Sequence, residues 1–234
     1  MENQRIIMAI GGHIGDMELT AGGTLATMAL EGAKIITVAL TAGEKGNPKH
    51  LSVADYRKQK IEEAKIFAKK MNDGIAVVFD YGDGELPDND EVRWQLADLI
   101  REHKPNVLIT HWKNSMHKDH ELTYKITKDA QFYAGLPSFE RDFPAHFAAG
   151  PYYAENWEDP TDFKPYIYSV ISEEGFKLWQ EAIQGHWFAM NSTSYDYFNY
   201  YSQLKGVRGI NARRKYAECF DIEELQKRVI REGI

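Results

Sequence analysis

The chain has one cysteine and no long apolar run, and both shortages narrow what it can be. Among its 234 residues Cys219 stands alone, so no internal disulfide can form and a metal site would have to be built from His and carboxylate. Cys219 lies in the strand-like run Tyr216-Ala217-Glu218-Cys219-Phe220, where a buried, inert thiol is expected. No 18-residue apolar stretch and no signal-like N-terminal segment are visible, which predicts a cytoplasmic protein without a membrane span. Basic clusters are missing too. With a formal charge of −7 and no element crowded with Lys and Arg, a small molecule is the expected partner and nucleic acid is not. The G-x-G-x-x-G spacing is absent although Gly11-Gly12 and Gly22-Gly23 lie near the first apolar run. A His and an Asp stand in the turn where a phosphate would have to approach bare backbone, so dinucleotide binding is set aside.

What is present is an alternation of strand and helix signals. Apolar runs at about 5–10, 34–41, 75–79 and 106–110 are interleaved with helical periodicity near 17–31, 54–70, 90–103 and 120–134. That order predicts an α/β fold, a Rossmann-like, mostly parallel sheet with helices on both faces. On the helix at 54–70, Ile61, Ala64, Ile66 and Phe67 form the expected apolar side, and Arg57, Lys58, Lys60, Glu62 and Glu63 a solvated one. Beyond Pro137 the composition shifts toward aromatics, with strand-like 166–171, helix-like 174–188, and Trp157, Trp179, Trp187, Tyr195, Tyr197 and Tyr200 nearby. No linker is visible. We therefore read 1–234 as one domain, a Rossmann-like half over 1–136 and an extension over 137–234 that forms part of the pocket. The aromatics are either the core of that extension or a wall against a ring-shaped ligand.

In open α/β sheets ligands collect beyond the carboxyl ends of the strands, and four such ends are polar or glycine-rich: Gly12-His13-Ile14-Gly15-Asp16, Thr41-Ala42-Gly43-Glu44-Lys45-Gly46, Tyr81-Gly82-Asp83-Gly84, and Thr110-His111-Trp112. A hydrolytic zinc site uses about three protein ligands and leaves a position for water. His13, Asp16 and His120 can supply such a set: the first two bracket a tight turn, and His117 and His120, three apart, face one direction on a first helical turn. Asp119 can orient an imidazole by accepting its ring N–H, and His111, directly after the fourth strand, is a neighbour expected to contact the substrate. Two His and one carboxylate also suit iron(II).

These motifs resemble those of the PIG-L/LmbE-like N-acetylglucosaminyl deacetylases, which include the deacetylases of the mycothiol and bacillithiol pathways. The family's His-Pro-Asp-Asp-x-Glu and Gly-Gly-Thr stand here as His13-Ile14-Gly15-Asp16-Met17-Glu18 and Gly22-Gly23-Thr24, and its His-Pro-Asp-His as His117-Lys118-Asp119-His120. Asp83-Gly84-Glu85-Leu86, Arg208-Gly209 and the run around Cys219 continue the resemblance in order, along with Glu44 and its neighbours. The resemblance implies that His13, Asp16 and His120 hold zinc. It implies that His117 stabilises an oxyanion or protonates the leaving amine, held by Asp119, and that Glu44 and Arg57 contact a sugar. It also implies self-association into a homo-oligomer and an amino-sugar conjugate as substrate.

The departure is Gly15. The family carries Asp there, the general base that takes a proton from the attacking water, and such a group is worth roughly 10²–10⁴-fold in rate. Asp119, Glu44 and Asp83 are the carboxylates that could replace it. Two functions follow from different classes: a metal-dependent N-deacetylase of an N-acetylated amino sugar, and a catalytically impaired relative that binds metal and a sugar-like ligand in a regulatory role.

Overall fold

The four apolar runs of the first half become parallel strands because each is followed by a helix that returns the chain to the same sheet edge. A computed structural model describes residues 4–228 together with 230 and 231. Strands β1 (Ile6–Gly11), β2 (Lys34–Thr41), β3 (Ile75–Tyr81) and β4 (Val107–Thr110) alternate with α1 (Asp16–Thr20), α2 (Gly22–Leu30), α3 (Val53–Lys70), α4 (Asp90–His103) and α5 (Lys118–Gly135). The second half adds β5 (Ala149–Ala154), β6 (Ile167–Ile171), α6 (Glu173–Ile183), α7 (Trp187–Asn191), α8 (Tyr197–Asn211) and β7 (Tyr216–Asp221).

One seven-stranded sheet results, in the order β3-β2-β1-β4-β5-β7-β6, with β7 antiparallel to both its neighbours and the other pairings parallel. Side chains alternate across it and divide the core. Ile7, Ala9, Ile35 and Ile109 pack under α2, α6 and α8 through Leu25, Trp179 and Tyr201, whereas Met8, Ile10, Ile36 and Leu108 pack on α4 and α5 through Leu96, Ile100, Ile126 and Ala130. Both faces are covered, as the continuous apolar runs require.

Chain direction across the sheet reverses between β1 and β4, so the loops after these two strands part and leave a crevice. His13 follows one and His111 the other.

Several expectations need correction. The helix expected over 17–31 is two helices with a break at Ala21, and that expected over 174–188 ends at Ile183 before Gly185. On α3 the polar side is not simply solvated: Lys60 and Glu63 are buried and Arg57 is half-buried, while Ile66 is 53% exposed. The cause lies in the second half of the chain, whose Trp187 and Phe188 pack against Tyr56 and Lys60. Cys219 is buried in β7, and burial pushes its thiol up to about 12.

Two distant motifs meet inside the fold. The Glu218 carboxylate of β7 accepts the backbone N–H groups of Gly23 (2.9 Å) and Thr24 (2.8 Å) at the start of α2, and it pairs with the Lys205 ammonium at 2.9 Å. A negative charge on those unsatisfied N–H groups is stabilising.

Candidate metal centre and active site

The turn after β1 sets the centre. The His13 N–H donates to Asp16 Oδ2 at 2.7 Å and the Gly15 N–H to Glu18 Oε2 at 3.0 Å, which folds the two side chains of His13 and Asp16 toward one point. Gly15 has φ +106, a region that a residue with a Cβ rarely adopts. His120 enters from the first turn of α5, whose N-cap is His117: Nδ1 of that ring accepts the Asp119 N–H at 3.2 Å.

His13 Nδ1, Asp16 Oδ2 and His120 Nε2 stand 3.2 to 3.3 Å from one another. A tetrahedral cation with ligands at about 2.0–2.1 Å has neighbouring ligand atoms roughly 3.4 Å apart. The three donors thus already stand at the spacing of one coordination shell. His13, His117 and His120, as well as Asp16, His111 and His120, also gather within ligand reach.

Each imidazole of that trio is backed by carboxylates. His13 Nε2 faces Asp83 Oδ1 at 3.2 Å and Asp119 Oδ2 at 3.4 Å, and His120 Nδ1 faces Glu158 Oε2 at 3.4 Å and Asp159 Oδ1 at 3.6 Å. Carboxylates in this position fix ring orientation and raise ligand basicity. They also create a negative field. Burial opposes a proton on His13 and His120, but the surrounding carboxylates outweigh it, raising His13 well above its usual range and His120 to about 9. Asp83 and Asp159, despite burial, are held down at about 2 by the histidines they face. His13 Nε2, His111 Nδ1, Asp119 Oδ1 and both Asp159 carboxylate oxygens are buried without a well-formed hydrogen bond. Buried imidazoles and carboxylates in surplus, poorly satisfied by one another, fit a divalent cation.

Other expected site residues take different places. His111 is fully buried, stacked on the His120 ring at 3.9 Å, with Nε2 at 3.0 Å from Asp16 Oδ2 and Nδ1 at 3.5 Å from Asp159; it lies behind Asp16 and His120 and does not line the cavity. Glu44 and Arg57 are outside the cavity lining too. Glu44 accepts the Asp83 N–H at 3.1 Å, while Arg57 is committed to the carbonyls of Phe79 and Tyr81 and to Asp80 and Glu44, tying the end of β3 to α3. The Asp119 carboxylate accepts the Gly84 N–H at 2.7 Å and turns to His13; it meets His117 only through its backbone. His117 itself borders the cavity and its pKa is lowered, first by burial and then by the neighbouring histidines. With Nδ1 accepting, the neutral ring carries its proton on Nε2 and offers a donor.

The cavity is about 780 Å³ and is bordered by His13, Asp16, His117 and His120, with Trp157, Trp187, Phe188 and Tyr197 as an aromatic wall. The aromatics of the second half divide between the two roles considered for them. Trp179 is core, its N–H donating to the Glu18 carbonyl at 2.8 Å, while Trp157, stacked on Tyr195 at 4.1 Å, faces the site. Sequence reasoning missed Glu158, Asp159 and Phe188. The first two follow β5, a strand hidden by Gly150-Pro151, so nothing placed their loop at the ligand-binding edge.

Comparison with known proteins gives a consistent kinship. The sequence profile of the PIG-L family, described as GlcNAc-PI de-N-acetylase, matches residues 8–131. The 4-oxalmesaconate hydratase of Pseudomonas putida is 24% identical over 226 residues, covering 90% of this chain and 82% of that protein. The diacetylchitobiose deacetylase of Thermococcus kodakarensis is 28% identical over 139 residues, 58% of this chain and 52% of that protein. The chain thus spans about half the length of this deacetylase and most of the hydratase. Among solved structures, the 4-carboxy-2-hydroxymuconate hydratase of Pseudomonas putida superposes with a TM-score of 0.85 at 20% identity, covering 99% of this chain and 100% of the other. The N,N'-diacetylchitobiose deacetylase of Pyrococcus horikoshii follows at 0.81 and 20%, covering 95% and 85%. These likenesses show a shared fold, and the profile match, which takes in more than half of the 234 residues, shows that the chain belongs to the PIG-L family.

Proposed function

We propose that the chain is a metal-dependent enzyme that brings water to an electrophilic carbon, and that its reaction is removal of an acetyl group from the nitrogen of an amino sugar or its conjugate. The observation that carries the proposal is the trio His13 Nδ1, Asp16 Oδ2 and His120 Nε2, mutually 3.2 to 3.3 Å apart at the edge of the cavity. Those three residues would hold the cation, zinc by the chemistry of its donors, with iron(II) the other metal such a set suits. When bound, the cation would polarise a carbonyl and make water more acidic. The chain's own residues do the rest. His117 offers its Nε2–H to the oxygen on which charge develops, and such a donor is worth roughly 10²–10³ in rate. Asp83, Asp119, Glu158 and Asp159 hold the two ligand rings, and the aromatic wall excludes water from the far side of the substrate.

No side chain on residue 15 takes the proton. A second reading follows from that bare position and from the similarity to a hydratase over nearly the whole chain: addition of water across the double bond of a small unsaturated acid. Zinc-loaded protein offered a panel of N-acetylated sugars and of unsaturated dicarboxylic acids separates the two. Acetate release supports the first reading and loss of the conjugated chromophore the second; turnover of neither panel would mark the chain as a catalytically silent binder.

A further inference from the structure

Lys60 neither holds the proposed cation nor donates to the developing oxyanion. It sits on α3 at 4% exposure, yet it borders the same cavity as His13, Asp16 and His120. Its ammonium lies over two aromatic rings, 4.7 Å from the Phe188 centroid and 5.7 Å from that of Tyr56. Among the described residues no hydrogen bond or ion pair reaches it: Asp16, Asp83, Glu63 and Glu18 act on it only through space. Glu63, one turn along the helix, is instead engaged by the Gln59 amide at 2.7 Å.

An ammonium on a buried side chain with no partner is costly. The surroundings nevertheless make room for it. Gly43 has φ +68, and a Cβ there would come within 2.9 Å of both Lys60 Nζ and His13 Cβ. The absent side chain at residue 43 therefore lets the ammonium stand beside the imidazole of the proposed cation site. Its other neighbour is Phe188, whose ring covers Gly15. A charge left without a partner, on a buried side chain that borders the cavity beside the reacting position, is a binding group awaiting its counter-ion.

We propose that Lys60 anchors a carboxylate of the substrate, so that the site takes a small acid whose carboxylate lies beside the carbon that water attacks. The inference rests on the reading of this cavity as the place where substrate meets the cation. A single point charge with three donors can hold one carboxylate, and Arg57, the guanidinium that could share the second charge of a phosphate dianion, is already committed elsewhere. An amino-sugar acid satisfies this requirement under the first reading of function, and an unsaturated acid under the second.

Calorimetric titration of malonate, inorganic phosphate and N-acetylglucosamine into zinc-loaded wild type, Lys60→Met and Lys60→Arg protein tests it, with zinc content and Tm measured on each. Malonate affinity is expected to fall about tenfold or more in Lys60→Met and to be largely kept in Lys60→Arg, with zinc content unchanged and Tm not lowered. Malonate affinity unchanged in Lys60→Met would overturn the proposal, as would phosphate binding more tightly than malonate. An equal loss of N-acetylglucosamine binding would overturn it too, by making Lys60 a matter of pocket shape. A protein that takes up no zinc, yet binds malonate in a Lys60-dependent way, would refute the metal-dependent function and leave the anchor standing.

Discussion

The ring of Phe188 stands where a side chain on residue 15 would have to go: a Cβ built on Gly15 would lie 2.3 Å from Phe188 Cζ. Gly15 therefore has no room for a side chain while that ring keeps its place. The Phe188 ring from α7 occupies that space, and the Lys60 ammonium lies over the same ring.

Restoring the family's carboxylate thus needs two changes. Gly15→Asp alone meets both the ring and a φ of +106 and should lower Tm without gaining activity. Gly15→Asp combined with Phe188→Ala should raise kcat/KM for acetate release from N-acetylglucosamine by on the order of 10²-fold. An equal gain in the single variant would show that Phe188 does not obstruct the position.

His117 is argued to donate to the developing oxyanion while leaving the cation to others. His117→Ala should lower kcat by roughly 10²-fold with zinc content unchanged. Loss of zinc in that variant would move His117 into the ligand set instead.

The sheet and the convergence of His13, Asp16 and His120 were legible because their signals are local. Continuous apolar runs mark strands buried on both faces, and His13, Asp16 and His120 sit at strand or helix ends that the alternation itself locates. What failed was non-local. β5 begins Ala149-Gly150-Pro151, which reads as a turn, and its pairing with β4 carries a register shift; α8 is rich in Tyr, Asn and Gly and has little helical periodicity. The positions of Lys60 and Arg57 were misread for the same reason. Which side of α3 is solvated depends on Trp187 and Phe188, contributed more than a hundred residues later.

Glu218 joins the two halves of the chain, and its loss should be severe. Glu218→Ala strands the buried Lys205 ammonium and frees the N–H groups of Gly23 and Thr24, a change expected to cost about 3–5 kcal/mol. Adding Lys205→Met should recover part of it, because the uncompensated charge is then gone. Urea unfolding of the two variants checks this; equal stabilities would mean that the charge was never the issue.

His186 is fully buried between Phe67 and Phe188, with neither ring nitrogen hydrogen-bonded and Glu63 no nearer than 3.9 Å. Burial, aided by the charge on Lys60, pushes its pKa down to about 3. Above the unfolded value near 6.5 the ring is neutral in both states and contributes no pH dependence. As pH falls from 6.5 toward 3 the unfolded chain takes up a proton that the folded one refuses, so stability declines by about 1.4 kcal/mol per pH unit from this group. His186→Phe should flatten the stability profile between pH 6.5 and 4 relative to wild type. Parallel profiles would contradict the assignment.

The account turns on one cation held by three side chains from opposite sides of the sheet reversal. Zinc content after loading and desalting, measured by mass spectrometry on wild type, Asp16→Asn and His120→Ala, tests it most directly. One zinc per wild-type chain, lost in both variants with the fold intact by circular dichroism, is the predicted result; zinc absent from the wild type, or retained in both variants, would contradict it.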